Sequence, residues 1–241
     1  MSNFRTMIIN IDEIQADFKP HRRCLALWGQ VRGTCVVFSR MVKDGPMSRL
    51  PRKAVVRPEC YYHLVARGND KARIFHCESD YRRYLEFVTE AKARYRVFLY
   101  HYVLMPNHIH MEVEPTEGDL SSFMHAIQSP YAKFYCKKYG RVGHVWQGRF
   151  KCSWIDTDAY LFACGNYIEL NPIRAKLVKK TEDWPFSSYR FYAFGEKDDL
   201  IDADPLYFEL HDDPGIRQQM YRKLIENAVK NSPVPKVPGT S

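Results

Sequence analysis

The chain has 241 residues, 45% of them hydrophobic, and Lys plus Arg outnumber Asp plus Glu by 36 to 28, for a net charge of +8. That supports one sizeable core, and the basic balance favours a polyanionic partner, of which nucleic acid is the commonest. Nothing approaches the roughly 18 apolar residues of a membrane span or an apolar signal core. Seven scattered cysteines, with no Cys-x-x-Cys pair, exclude a zinc ribbon and a disulfide framework, so reduced thiols in a cytoplasm are expected.

Residues 1–46 hold no clear period, and "MSRLPRKAVV" reads as a natural start at Met47. The main domain is therefore expected over 47–230, with the proline-rich 231–241 a disordered tail. "CYYHLVARGN" is aromatic and β-branched and ends on a Gly-Asn turn, which predicts a strand. "ESDYRRYLEFVTEAKARY" carries Tyr81, Tyr84, Leu85 and Val88 at helical spacing, with Ser79 the expected cap. "VFLYHYVLMP" and "HIHMEVEP" predict two strands joined through Met105-Pro106-Asn107. "GDLSSFMHAIQSPYAKFYCKKYG" predicts a helix through Pro130 that stops at Gly140. "GRFKCSWID" predicts a fourth strand. "DTDAYLFACGNYIELN" predicts a helix capped near Asp156 or Thr157 and ended at Asn171-Pro172, since a residue before proline resists helical dihedrals. "WPFSSYRFY" reads as a turn-rich aromatic piece, and "PLYFELHDDPGIRQQMYRKLIENAV" as one C-terminal helical element. The order predicts an α+β sandwich with a mostly antiparallel sheet.

Three features carry chemistry. His108 and His110 are two apart on a strand, so they point the same way and can grip one ion. The plain alternative is two ordinary histidines on a half-polar face. Two nitrogens make a weak site, and "NYIELNP" offers a third ligand. Tyr167 and Asn171 are four apart and share a helix face, and an asparagine carbonyl is a hard oxygen ligand for Mg2+ or Mn2+. Against this, Asn-Pro is also a plain helix stop, and most of the sixteen tyrosines must be packing or surface residues. Third, residues 131–151 hold six basic and six aromatic residues and no acidic one. Lys133, Lys137, Lys138, Arg141, Arg149 and Lys151 could track a phosphate backbone while aromatic faces stack bases. The alternative is a solvated basic helix whose aromatics face the core.

Taken together, "YYHLVARGN", "LMPNHIH", "GHVWQGRFK", "YIELNPIRAKLV" and "WPFSSYR" resemble, in this order, the REP-associated tyrosine transposases. These are of the insertion-sequence two-hundred type, within the HUH endonucleases. The resemblance runs from about residue 50 to about 230, and HUH corresponds to His108-Ile109-His110. It implies a ferredoxin-like domain, Tyr167 as nucleophile, and His108, His110 and Asn171 as metal ligands. It also implies single-stranded DNA hairpins of palindromic repeats as target, cut near the hairpin foot and rejoined through a 5′-phosphotyrosine. Candidates for holding the hairpin are the arm with Arg52 and Lys53, the stretch 131–151, and Arg174 of "NPIRA". A nucleoid-associated cytoplasmic protein is expected. A homodimer is left open, as is whether the tyrosine serves its own chain's histidines.

Two further readings compete with an active strand transferase. One is a transposase-derived DNA-binding protein without catalysis. The other is a metal-dependent phosphodiesterase using water, with Tyr167 structural. Tyr131 is the alternative nucleophile.

Overall fold

A computed structural model describes residues 56–117 and 119–231. Four strands form its sheet: β1 Tyr61–Arg67, β2 Val97–Met105, β3 His108–Pro115 and β4 Lys151–Ile155. Their spatial order is β2-β3-β1-β4, and every neighbouring pair is antiparallel. Helix α1 (Glu78–Tyr95) links β1 to β2, and helix α2 (Leu120–Tyr139) links β3 to β4. This is the expected α+β arrangement, two β-α-β crossovers interleaved in one antiparallel sheet. The expectations for residues 1–46, for the start at Met47, for Arg52 and Lys53, and for the tail beyond Asn231 lie outside the described residues.

Period-two patterning sorts the strand residues onto two faces. Leu64, Ala66, Leu104, Ile109, Met111 and Val113 point to one face and join Phe87, Val88, Phe123 and Ile127 of α1 and α2 in the main core. The second face carries a smaller apolar cluster, in which Val103, Met105 and Ile155 meet Leu161, Cys164 and Ile168 of α3, Asp158–Glu169. Each fully buried aliphatic side chain contributes about 1.5–3 kcal/mol, enough to fix α3 across the face that also bears His108 and His110.

Local signals explain the helix ends. α1 is capped by Cys77, not Ser79: the Asp80 carboxylate accepts from the Cys77 backbone N–H at 3.2 Å. An acidic N3 residue reaching back thus replaces the expected hydroxyl cap. α2 begins at Asp119, whose carboxylate accepts from Ser122 N at 3.0 Å, and it ends at Gly140 with φ 61°. A left-handed C-cap of this kind suits glycine. Thr157 caps α3 by accepting from Tyr160 N.

α3 stops at Glu169, but the chain makes another turn, α4, over Asn171–Arg174. Pro172 sits in its first turn, where a missing N–H costs little, so proline restarts a helix here instead of ending one. The aromatic stretch covers the edge of β2: Leu104 N donates to Phe186 O at 2.9 Å and Ser188 N to Tyr102 O at 3.0 Å. It then forms helix α5, Tyr189–Phe194. The C-terminal element is two helices, not one: α6 Pro205–Glu209 and α7 Pro214–Asn231. The break falls at "HDDP", where the Asp213 carboxylate accepts from Ile216 N at 2.9 Å and starts the second helix.

Candidate active site

Strand register gathers histidines from two strands. His108 and His110 point to the α3 face, and their β1 neighbours are Arg67 and Val65; His63 is paired with Glu112 and sits diagonal to His110. Its Nε2 lies 2.9 Å from Nδ1 of His110, and the two rings stack with centroids 5.1 Å apart. The His108 and His110 rings are 5.0 Å apart, edge to face.

These contacts orient the imidazoles. Asn107 Oδ1 is 2.6 Å from His108 Nδ1, so that nitrogen donates and Nε2 keeps its lone pair. His110 engages His63 through Nδ1, which again leaves Nε2 outward. Burial holds His63 down to about 4. Burial, with Arg67 adding to it, does the same for His108, and burial pushes His110 well below the ordinary histidine value. At neutral pH the three rings are uncharged, the form that binds metals.

Tyr167 projects from α3 onto this cluster. Its ring is edge-on to His110 at 5.8 Å and to His63 at 6.0 Å. One turn later the Asn171 amide nitrogen donates to Tyr167 O at 2.9 Å and Ile168 O at 3.2 Å. With that nitrogen committed, the carbonyl oxygen is the atom left for a ligand. Two imidazole Nε2 atoms and an amide oxygen are donor types that suit a divalent cation. The Arg174 guanidinium lies over the Tyr167 ring, 4.8 Å from its centroid.

Comparison with known proteins now has a geometry to attach to. The family model described as "Transposase IS200 like" matches residues 56–171. Over this segment the chain is similar to the IS200-like transposases. A Haemophilus influenzae chain assigned to the REP-associated tyrosine transposases is 26% identical over 125 residues, covering 43% of this chain and 69% of that protein. A solved REP-associated tyrosine transposase bound to a REP hairpin has a TM-score of 0.51 at 22% identity, covering 66% of this chain and 93% of that one. The second likeness is one of fold. Among the described residues no helix is long and apolar enough to cross a membrane.

The structure brings together some of the sequence-derived candidates and separates others. His108, His110, Tyr167, Asn171 and Arg174 converge on one face. Lys151 opens β4 on that same face, opposite Val65, and is exposed, as is Arg149 two residues earlier. Lys133, Lys137 and Lys138 belong to α2, which packs on the other face of the sheet. Lys138 is also held 2.6 Å from the Asp80 carboxylate. Arg141 follows α2 and lies over Tyr135, 6.0 Å from its ring centroid. Tyr131 is fully buried on that side, its hydroxyl donating to Ile74 O at 2.5 Å, away from the histidines.

Two residues of the site were missing from the sequence reading, His63 and Arg67. The signal was present in "YYHLVARGN", where His63, Val65 and Arg67 alternate. What sequence could not supply was the register that sets β1 beside β3.

Proposed function

We propose that this chain cleaves and rejoins single-stranded DNA at hairpin-forming repeats, with Tyr167 as the nucleophile. The observation that carries the reading is the Tyr167 ring, packed edge-on against His110 and His63 from the helix that covers the histidine face. Tyr167 meets histidines of its own chain, which supports action in cis. The match of residues 56–171 to the model described as "Transposase IS200 like" supports this reading, as does a similar solved structure that was bound to a REP hairpin.

The chemistry balances as a transesterification. Tyr167 Oη attacks phosphorus and gives up its proton. The bond from phosphorus to the 3′-oxygen breaks, and that oxygen leaves as a hydroxyl once protonated. The 5′-phosphate stays on Tyr167 until a 3′-hydroxyl attacks the linkage in reverse, so strands exchange without an energy source. When bound by His108, His110 and Asn171, Mg2+ or Mn2+ would offset the phosphodiester's negative charge. Tyrosine has an ordinary pKa near 10, so the nucleophile needs help at neutral pH. The Arg174 guanidinium stacks over its ring and fixes the ring's direction. Arg67, Arg149 and Lys151 supply positive charge on the approach to this face.

The test mixes purified protein with labelled single-stranded hairpin DNA and Mn2+ and runs a denaturing gel, with Tyr167→Phe alongside. A covalent adduct in wild type alone supports the proposal. An adduct of wild-type intensity in Tyr167→Phe overturns the assignment. Cleavage without any adduct favours hydrolysis by water, and tight hairpin binding without cleavage favours a DNA-binding protein.

A further inference from the structure

A second polar cluster lies on the same sheet face, one step along β3. His101 of β2 and Glu112 of β3 are direct cross-strand partners. Asp204, from the segment that starts α6, completes the group. His101 is 3% exposed, Glu112 0% and Asp204 1%. One ligand atom from each lies within 4.8 Å of the others.

The hydrogen bonding around this group is incomplete in one direction. Neither carboxylate oxygen of Glu112 has a hydrogen-bond partner, nor does Oδ2 of Asp204. The Cys164 thiol of α3 interacts with Glu112, but a thiol is a weak donor. Asp204 Oδ1 is occupied, capping α6 by accepting from Leu206 N at 2.8 Å. Oδ2 instead faces His101 Nε2 at 3.6 Å, too long for a hydrogen bond. Three ligand atoms thus point inward at one another with little between them. A buried carboxyl with neither oxygen hydrogen-bonded is costly unless a further group satisfies it.

The outer contacts are as complete as the inner ones are not. His101 Nδ1 lies 3.0 Å from Glu169 Oε1. Glu169 in turn accepts from Ser188 Oγ at 2.6 Å and from Tyr221 OH at 2.8 Å. An imidazole whose far nitrogen donates to an anchored carboxylate, with the near nitrogen turned inward, is the usual setting of a metal-ligating histidine. Gly165 serves the same packing: a Cβ there would sit 2.7 Å from His101 Nε2 and Cδ2.

We infer that His101, Glu112 and Asp204 form a structural site for a divalent transition metal, separate from the His108–His110 pair. One nitrogen and two carboxylate oxygens suit Zn2+, whose fourth position a water or the neighbouring Cys164 thiolate would fill. Zn–N and Zn–O bonds of about 2.0–2.2 Å put tetrahedral donors roughly 3.4 Å apart, so atoms that lie within 4.8 Å of one another would close by at most about 1.4 Å on binding. The ion would latch the C-terminal helices to the sheet, because Asp204 lies beyond the family segment that supplies the other two ligands. The inference does not depend on DNA cleavage.

The experiment uses the full chain with His108→Ala and His110→Ala together, so that the pair proposed for catalysis no longer binds metal. After incubation with Zn2+ and gel filtration, metal is counted by mass spectrometry and Tm is recorded. The expected result is about one Zn2+ per chain and a raised Tm, both lost on adding Glu112→Gln or Asp204→Asn. A double variant that retains no zinc and shows no zinc-dependent rise in Tm overturns the inference. So does retention that neither added substitution changes. Should those substitutions prevent folding, Co2+ loaded into the double variant gives an answer without altering the cluster. Intense visible absorption of a four-coordinate ion supports the site, and only the weak spectrum of hydrated Co2+ refutes it.

Discussion

His63 on β1 holds its Nε2 2.9 Å from Nδ1 of His110 on β3. The contact determines which nitrogen of His110 turns toward a ligand. His63 is thus a positioning residue: it need not touch DNA to matter. Groups that hydrogen-bond the far nitrogen of a metal-binding histidine typically change affinity or activity by about 10–100-fold when removed. His63→Ala is expected to raise the Mn2+ concentration needed for half-maximal cleavage by about tenfold or more, with hairpin binding little changed. A cleavage titration against Mn2+ checks this. An unchanged Mn2+ requirement would remove His63 from the site's design.

Arg174 and Tyr167 form the second informative pair, with the guanidinium 4.8 Å from the ring centroid. Arg174→Ala removes a cation that is half-buried beside the proposed nucleophile. A desolvated cation–π contact is worth about 1–2 kcal/mol, which corresponds to roughly a tenfold rate change or somewhat more. The expected outcome is slower adduct formation, because the ring loses the contact that directs its hydroxyl. Arg174→Lys should recover part of the loss, since charge returns but the planar stack does not. Single-turnover rates at saturating hairpin DNA would measure it. A variant that only weakened DNA binding, with the rate at saturating DNA unchanged, would make Arg174 a phosphate contact alone.

The fold was largely legible because its signals are local. Alternating "HIHMEVEP", the helical spacing of Tyr81, Tyr84 and Val88, and Gly140 as a stop each act within a few residues. The candidate site was half legible for the same reason. His108 with His110, and Tyr167 with Asn171, announce themselves through spacing along one strand or one helix. His63 does not, because its meaning depends on β1 lying against β3, 47 residues away in sequence. The Asp204 contribution was hidden more deeply, since an acidic residue before Pro205 reads simply as a helix cap. Stretch 131–151 misled in part. It looked continuous in sequence, yet α2 carries Lys133, Lys137 and Lys138 behind the sheet while Lys151 lies on the histidine face. Composition counts charges along the chain, and a sheet between them sets them apart.

Acid should loosen this molecule in a defined window. Burial holds His63 at about 4, and burial with Arg67 holds His108 at about 4, against roughly 6.5 in an unfolded chain. Below pH 6.5 the unfolded chain therefore takes up protons that the folded protein refuses. By linkage the unfolded state gains, so stability is fully present above about pH 6.5 and is lost as pH falls toward 4. Asp80 has a folded value of about 2: burial alone would raise it, but hydrogen bonds from Lys138, His76, Tyr139 and Cys77 prevail. Its contribution is lost only below the ordinary carboxylate range, so the two losses separate. Urea midpoints measured at pH 7, 5.5 and 4.5, with a chelator present to remove metal, should fall steadily. In His63→Gln the decline should be shallower. A midpoint constant across that window would mean that the histidine face opens to water and protons more readily than its packing implies.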